Sequence, residues 1–554
     1  MVALMHARLD ASYDRPAVCD ALDQGRTWTW GELIAAAVEL ASQFDTLGLR
    51  RGHRLAHLGS HSPDWIVIDL ACQLAGVVHV PLHADATAAE HAAQLAWLAP
   101  QGIVWSGCCR RESGGVDIPI VIDLRTGHRP PHHRFSDRGG DAGLPDAGVL
   151  KSACWQRRHT DRAALRDDVA RCVAECDPDA CSTILLSSGT TGRPKGVLHS
   201  QRAVVANAVA ATNVFLDEPD DVRLSWLPLS HSLARTGDLV TALVRGGCLN
   251  VVTDRRRVLD ACRVLPPTVV LGVPAFFERL ERATESGHIP DLPAAFGGRV
   301  RVCVSGGAAL RDRTAVAFSS RGLPLVQGYG LAEAGPVVTI ANPRIVRLGT
   351  VGPPLDGVEL KLDTRPATLG QLLVRTPGRA LGVIGDEPAG HPGQMLLHRS
   401  GEQHVQAERL EPEWLETGDL AAIDADGHVR ITGRIVDTLV LSGGTKVPPA
   451  EVEAALAEDP VVAQVCVVGD GLTAPVAIVV PEPALLRAAL RRMGVRVLSR
   501  QAALRHPRVL RWLGRRLARR QRQLPRGFRV RRAVLIGRAF DAAHGEATES
   551  LKLR

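Results

Sequence analysis

The chain is poor in lysine. It has five, Lys151, Lys195, Lys361, Lys446 and Lys552, against 61 arginines. Wherever a generic positive charge is enough, this sequence uses arginine. Each remaining lysine therefore marks a candidate place where a compact ammonium cannot be exchanged for a planar guanidinium, such as a tight phosphate site. Long apolar runs are also lacking. No stretch reaches 18 apolar residues, which excludes a spanning helix as the reading, and Met1 to Arg15 mixes charge into what would have to be the core of a signal peptide. A cytoplasmic location is the resulting expectation. Twelve cysteines in 554 residues are too few for a disulfide framework. Cys172, Cys176 and Cys181 have no second pair at zinc-site spacing, so they read as ordinary thiols rather than metal ligands.

What is present is the composition of a globular protein, with 45% hydrophobic and 23% charged residues. The length exceeds one core and implies two or more domains. The net charge of +7 is unevenly spread: from Arg487 to Arg532 there are 17 arginines and no acid. Such a block suits nucleotide phosphates, coenzyme A, an anionic membrane surface or nucleic acid, and its plain alternative is a solvated helix face. Only Trp512 and Phe528 interleave with it, which argues against a base-stacking surface and a nucleic-acid partner.

Alternating periodicities organise the rest. Residues 27–49 read as a strand and an amphipathic helix, 54–60 as a strand, 64–78 as a buried helix and 79–82 as a strand, the rhythm of an α/β domain with a largely parallel sheet. Residues 124–160, with His128, His132 and His133, read as a surface loop, the sharper alternative being a histidine metal cluster. The α/β rhythm resumes at Ser182 and runs to about Pro343. Short β-like runs at 359–362, 370–375 and 427–434 predict a small β subdomain. A βαβ-like series after Arg434 predicts a separate α+β domain.

The densest chemical signal is Leu185-Leu-Ser-Ser-Gly-Thr-Thr-Gly-Arg-Pro-Lys-Gly-Val197. An apolar strand leads into a loop of glycines and hydroxyls with one lysine. Glycines let backbone N–H groups approach a polyphosphate, hydroxyls donate to it, and Lys195 supplies charge. No Gly-Lys-Ser/Thr follows at the spacing of a Walker A loop.

This loop resembles the phosphate-binding loop of the adenylate-forming enzymes, the family of acyl-CoA synthetases, luciferases and peptide-synthetase adenylation domains. Six further segments resemble that family's motifs in order: LPLSH (227–231), VSGGAAL (304–310), QGYGLAE (327–333), WLETGDL (414–420), GRIVD (433–437) and ATESLKLR (547–554). The resemblance spans roughly Arg26 to Arg554. It implies a large N-terminal part of α/β subdomains with a small β subdomain, residues 1–433, and a mobile α+β C-terminal domain, residues 434–554. It also implies that Ser187, Ser188, Gly189, Thr190, Thr191, Gly192 and Lys195 cradle the nucleotide phosphates, that Gly307, Tyr329 and Gly330 line the adenine site, and that Asp419 and Arg434 hold the ribose side. By the same resemblance Thr190 and Glu333 would bind Mg²⁺, His231 would border the acyl site, Asp437 would be a hinge, and Lys552 would neutralise charge at the α-phosphate. ATP, Mg²⁺ and coenzyme A are the implied small molecules.

GVPAFFERL (272–280) and the arginine-rich region before the terminal Thr-x-x-Leu-Lys-Leu-Arg resemble the long-chain acyl-CoA synthetases. The expected activity is therefore ligation of a medium- or long-chain fatty acid to coenzyme A, with peripheral membrane contact as an added expectation. An acyl-AMP ligase that loads a carrier protein, and a weakly active nucleotide-binding homologue, are the alternatives. Three positions depart from the pattern: Ala332 stands where a threonine is usual, Val440 where several relatives keep a lysine, and ALGVIGD (380–386) replaces a Gly-Tyr-Trp-like segment.

Overall fold

The structure is a computed structural model. It describes residues 1–22, 26–84, 86–106, 118, 120–124, 161–188, 194–215, 218–345, 347–364, 370–384, 394–398, 404–409 and 414–540. The histidine-rich stretch 128–133, the loop 189–193 and the terminal segment 541–554 with Lys552 lie outside the described residues.

Two large sheets form the N-terminal part. In the first, the strands Ile120–Leu124, Gly102–Ser106, Arg54–Gly59 and Val78–Pro81 run parallel, and Cys181–Ser188 joins them beside Val78–Pro81. The second is built around the parallel strands Cys248–Val251, Val222–Ser225, Val269–Gly272, Val302–Ser305 and Leu325–Tyr329. Most of the described side chains on these strands are buried and apolar, as expected of parallel strands covered on both faces, with buried polar exceptions such as His57, His79 and Arg223. Helices supply the cover. Trp30–Thr46 starts at a capping box in which Thr29 and Glu32 satisfy each other's backbone N–H groups. Pro63–Ala75 starts on Ser62 with proline at its first turn and ends on left-handed Gly76. The two helices share one core with Met5, Leu9, Leu239 and Leu243.

The small β subdomain is an antiparallel sheet of Glu359–Asp363, Gly370–Arg375, Leu415–Ile423 and Val429–Arg434. The segment between its second and third strands does not stay with it. Gly382–Ile384 pairs with Pro194–Ser200, and His404–Arg409 and Gln394–His398 extend that edge. Of the altered stretch, Gly382–Ile384 thus belong to the sheet that carries Lys195, a pairing across almost two hundred positions that local periodicity cannot reveal.

After Arg434 the chain forms the small pair Leu439–Val440 with Lys446–Val447, the helix Pro449–Ala457, and a sheet of Val462–Val468, Val476–Pro481 and Arg532–Leu535. The first two strands of that sheet are antiparallel, so the series is not a simple βαβ unit. Helix Pro507–Arg520 explains the arginine block locally. Val509, Leu513 and Leu517 are buried at helical spacing, while Arg508, Arg511, Arg515 and Arg519 recur on the exposed side. Arg516 turns inward to the buried carboxylate of Asp459. Among the described residues no helix is long and apolar enough to cross a membrane, and no group of three or more His, Cys, Asp or Glu side chains is placed to hold a metal.

Candidate active site

The strands on either side of residues 189–193 are paired with each other. Cys181–Ser188 and Pro194–Ser200 pair antiparallel, with Ser187 opposite Lys195 and Ser188 opposite Pro194. Buried Ile184, Leu185 and Leu186 anchor the incoming strand. Gly189, Thr190, Thr191 and Gly192 lie outside the described residues; Lys195, on the second strand, is partly buried. Gly196 serves packing: a Cβ there would sit 2.9 Å from Ile184 and 3.2 Å from Trp97.

Tyr329 ends the strand Leu325–Tyr329, and Ala332, Glu333 and Ala334 form a 3₁₀ turn just beyond it. Gly330 between them has no alternative residue, because a Cβ would fall 1.8 Å from the Pro336 carbonyl oxygen. This turn is tied to the strand that carries Lys195. The Ala380 N–H donates to the Glu333 carbonyl at 2.9 Å, and the adjacent Leu381 N–H donates to Leu198 O at 2.8 Å, on the strand Pro194–Ser200 that carries Lys195. Asn207, on the next helix, clamps the far side. Its amide donates to Val337 O at 2.6 Å and its Oδ1 accepts from the Val337 N–H at 3.1 Å. The Glu333 carboxylate is partly exposed and pairs with no cation among the described residues, which leaves hard oxygen donors free for a divalent ion that also takes substrate phosphates.

Asp419 faces the same turn from the β subdomain. Its strand, Leu415–Ile423, pairs with Val429–Arg434 so that Asp419 stands opposite Arg434. Tyr329 Oη donates to Asp419 Oδ2 at 2.6 Å, and Arg434 Nε donates to Oδ1 at 3.1 Å. Burial, then the charge of Asp419, raises the Tyr329 phenol well above its ordinary range, so it remains a donor. Thr417 supports the arrangement by accepting the Asp419 N–H at 3.0 Å and donating to Leu372 O at 2.7 Å. Gly307 is left-handed at φ 81°, with nothing within 4 Å of the place a Cβ would take. The sequence singled out Tyr329, Asp419 and Arg434 separately, and the fold joins them into one hydrogen-bonded cluster.

His231 lies apart from that cluster, in a cleft with His61, Trp65, His83, Ser230 and Arg255. His83 and His231 stack with ring centres 4.4 Å apart, and His83 Nδ1 lies 3.0 Å from Ser230 Oγ. His61 Nε2 lies 2.8 Å from the Ser225 carbonyl, and burial pushes the ring down to about 4, so it is neutral and this nitrogen donates. Beneath the cleft runs a fully buried polar chain: Ser106 Oγ to His57 at 2.9 Å, His57 to His79 at 3.0 Å, and His79 to Asp69 at 2.7 Å. Arg235 closes it with a forked pair to Asp69. Burial alone would raise the Asp69 carboxyl, but Arg235 and His79 outweigh it and hold it well below the carboxylate range. Arg235 opens a π-helical turn one helical turn after His231 and donates its N–H to His231 O at 3.0 Å. Gly59, in the cleft wall, is required because a Cβ would collide with Ser106 and His57. None of Asn207, His61, His83, Asp69 or Arg235 carries a local sequence signal, while Thr417 lies in the WLETGDL segment.

Residues 5–383 match the model of the AMP-binding enzyme family, and residues 436–496 match the AMP-binding enzyme C-terminal domain. A long-chain-fatty-acid–CoA ligase, FadD15 of Mycobacterium bovis, is 28% identical over 79% of this chain and 74% of its own length. A feruloyl-CoA synthase of Amycolatopsis sp. is 27% identical over 80% and 81%. Among solved structures, a benzoate CoA ligase from Burkholderia xenovorans has the same fold at a TM-score of 0.72 and 20% identity, over 100% of this chain and 98% of that one. The chain belongs to the AMP-binding enzyme family and groups with its acyl-CoA ligases.

Proposed function

We propose that the protein joins a medium- or long-chain fatty acid to coenzyme A through an acyl-adenylate. The observation that carries the nucleotide half of this reading is the Tyr329–Asp419–Arg434 cluster beside the Glu333 turn and the Lys195 strand. The long-chain preference is supported by the segment at 272–280 and by FadD15 among the relatives.

A carboxylate is a poor electrophile because its negative charge repels nucleophiles. In the first half-reaction one carboxylate oxygen attacks the α-phosphorus of ATP, a new P–O bond forms, and the bond to pyrophosphate breaks. In the second, the thiolate of coenzyme A attacks the acyl carbon and AMP leaves with the bonding pair. The protein positions the groups and balances charge. Asp419 would accept the ribose hydroxyls, with Tyr329 and Arg434 holding its orientation while its remaining lone pairs face the ligand. Lys195, together with Ser187, Ser188, Gly189, Thr190, Thr191 and Gly192, would take the outer phosphates. Gly307 and Gly330 would leave room for the base beside the Tyr329 ring. His231 would border the acyl group. Glu333 and Thr190 would hold Mg²⁺, which when bound supplies charge neutralisation at the phosphates. Lys552 would meet the developing charge on the α-phosphate, and residues 434–554 would form the unit that carries it.

Lys552→Ala tests the division of labour. Acid-dependent pyrophosphate exchange should fall about a hundredfold, the scale of one electrostatic donor, while thioester formation from supplied acyl-AMP holds. Equal losses in both assays would overturn the assignment.

A further inference from the structure

The C-terminal part meets the N-terminal part on the residues that directly follow the VSGGAAL strand–turn. The Arg311 side chain is only 12% exposed and divides its guanidinium between the two parts. Nε pairs with Glu278 at 3.3 Å, on helix Pro274–Glu285 of the N-terminal part. Nη1 and Nη2 donate to the carbonyls of Val462 and Ala463 at 3.2 and 2.7 Å, at the start of the strand Val462–Val468. The next backbone N–H, of Asp312, donates to Glu458 Oε1 at 2.9 Å, so a C-terminal carboxylate meets the free N–H groups that open helix Asp312–Ser319.

Both ends of this contact lead to the reaction. On the N-terminal side, the Leu310 N–H donates to Gln327 at 3.0 Å, on the strand that ends in Tyr329. On the C-terminal side, Gln464 follows Ala463 and holds both backbone groups of Phe540, accepting its N–H at 2.7 Å and donating to its carbonyl at 3.3 Å. The adenine strand, Arg311, the strand Val462–Val468 and residue 540 are thus connected in series.

A buried arginine is poor glue, because its desolvation offsets much of what its partners return, but it penalises every arrangement in which those partners are misplaced. If the two parts separate, Arg311, Glu278 and the two carbonyls all regain water, which offsets much of the loss of the contact. We propose that Arg311, with Glu458, is a positioning pair that sets the C-terminal part in the orientation serving the adenylation half-reaction. The proposal rests on the acyl-adenylate reading above and on the role given there to Lys552.

The test compares Arg311→Met, Arg311→Lys and Glu458→Gln in the full-length protein, each assayed for acid-dependent pyrophosphate exchange and for thioester formation from supplied acyl-AMP. Losing one hydrogen bond to a charged group should slow exchange about tenfold or more. The Michaelis constants should change little, thioester formation should hold or rise, and Arg311→Lys should recover part of the loss. Unchanged exchange, or equal losses in both half-reactions, would overturn the proposal. Glu458 is only partly buried, at the rim of the contact, so its variant decides the matter if Arg311→Met fails to fold. Lys552→Ala in the same assays keeps the two readings apart. Parent-level exchange in that variant removes the role of Lys552. Lost exchange there, beside parent-level exchange in the Arg311 and Glu458 variants, removes the positioning pair alone.

Discussion

His199 sits in the strand Pro194–Ser200 that carries Lys195, is 1% exposed, and neither ring nitrogen finds a hydrogen-bond partner among the described residues. Burial first, then the charge of Arg235, pushes it down to about 3. In the unfolded chain it titrates near 6.5. Between those values the unfolded chain binds a proton that the folded chain refuses. The contribution to stability is therefore intact above pH 6.5 and is lost as pH falls toward 3. The slope is about 1.4 kcal/mol per pH unit for one proton, so the loss between pH 6.5 and 5 is about 2 kcal/mol. His199→Met isolates this quantity because every other titrating group is common to parent and variant. An apolar side chain of similar size also relieves two unpartnered nitrogens. The variant should match or exceed the parent in stability at pH 7.5 and exceed it by about a further 2 kcal/mol at pH 5. Urea unfolding followed by tryptophan fluorescence at the two pH values measures the difference. Equal pH dependence in parent and variant would refute the reasoning, since it would mean that His199 charges as readily folded as unfolded.

Two more predictions concern the turn at 332–334. Glu333→Gln keeps shape but removes charge, so apparent Mg²⁺ affinity in the adenylation assay should fall at least tenfold with the melting temperature unchanged; an unchanged Mg²⁺ dependence would remove Glu333 from the metal site. Ala332→Thr restores a hydroxyl worth roughly 1.5–3 kcal/mol if it reaches a charged group. Adenylation should accelerate, up to about a hundredfold, or stay level where water already fills the place. A folded but inactive Ala332→Thr protein would withdraw the roles given to Tyr329 and Glu333 together.

The parts of this molecule that were legible in the sequence are those whose signal is local. The strand and helix from 26 to 46, the helix at 63–75 and the strands at 359–375 follow from apolar periodicity and caps. The strand leading into the glycine- and hydroxyl-rich segment follows from its apolar run, and the arginine face of Pro507–Arg520 follows from the four-residue spacing of its buried valine and leucines. What was not legible depends on pairing at a distance. The bond from Tyr329 to Asp419 joins residues 90 positions apart. The chain from Ser106 through His57, His79 and Asp69 to Arg235 needs several secondary-structure elements to assemble before any member gains a partner. Gly382–Ile384 lie in a stretch that departs from the family pattern in sequence, yet their backbone pairs with the Lys195 strand on one side and His404–Arg409 on the other, and backbone pairing tolerates many side chains.

The most direct measurement is a panel of carboxylic acids of graded chain length, scored for AMP release with and without coenzyme A and with thioester detected as product. The account predicts acid-dependent AMP release that rises with coenzyme A, forms the acyl-CoA thioester, and is strongest on medium or long chains. Acid-dependent AMP formation that ignores coenzyme A, or no AMP from any acid in the panel, would contradict it.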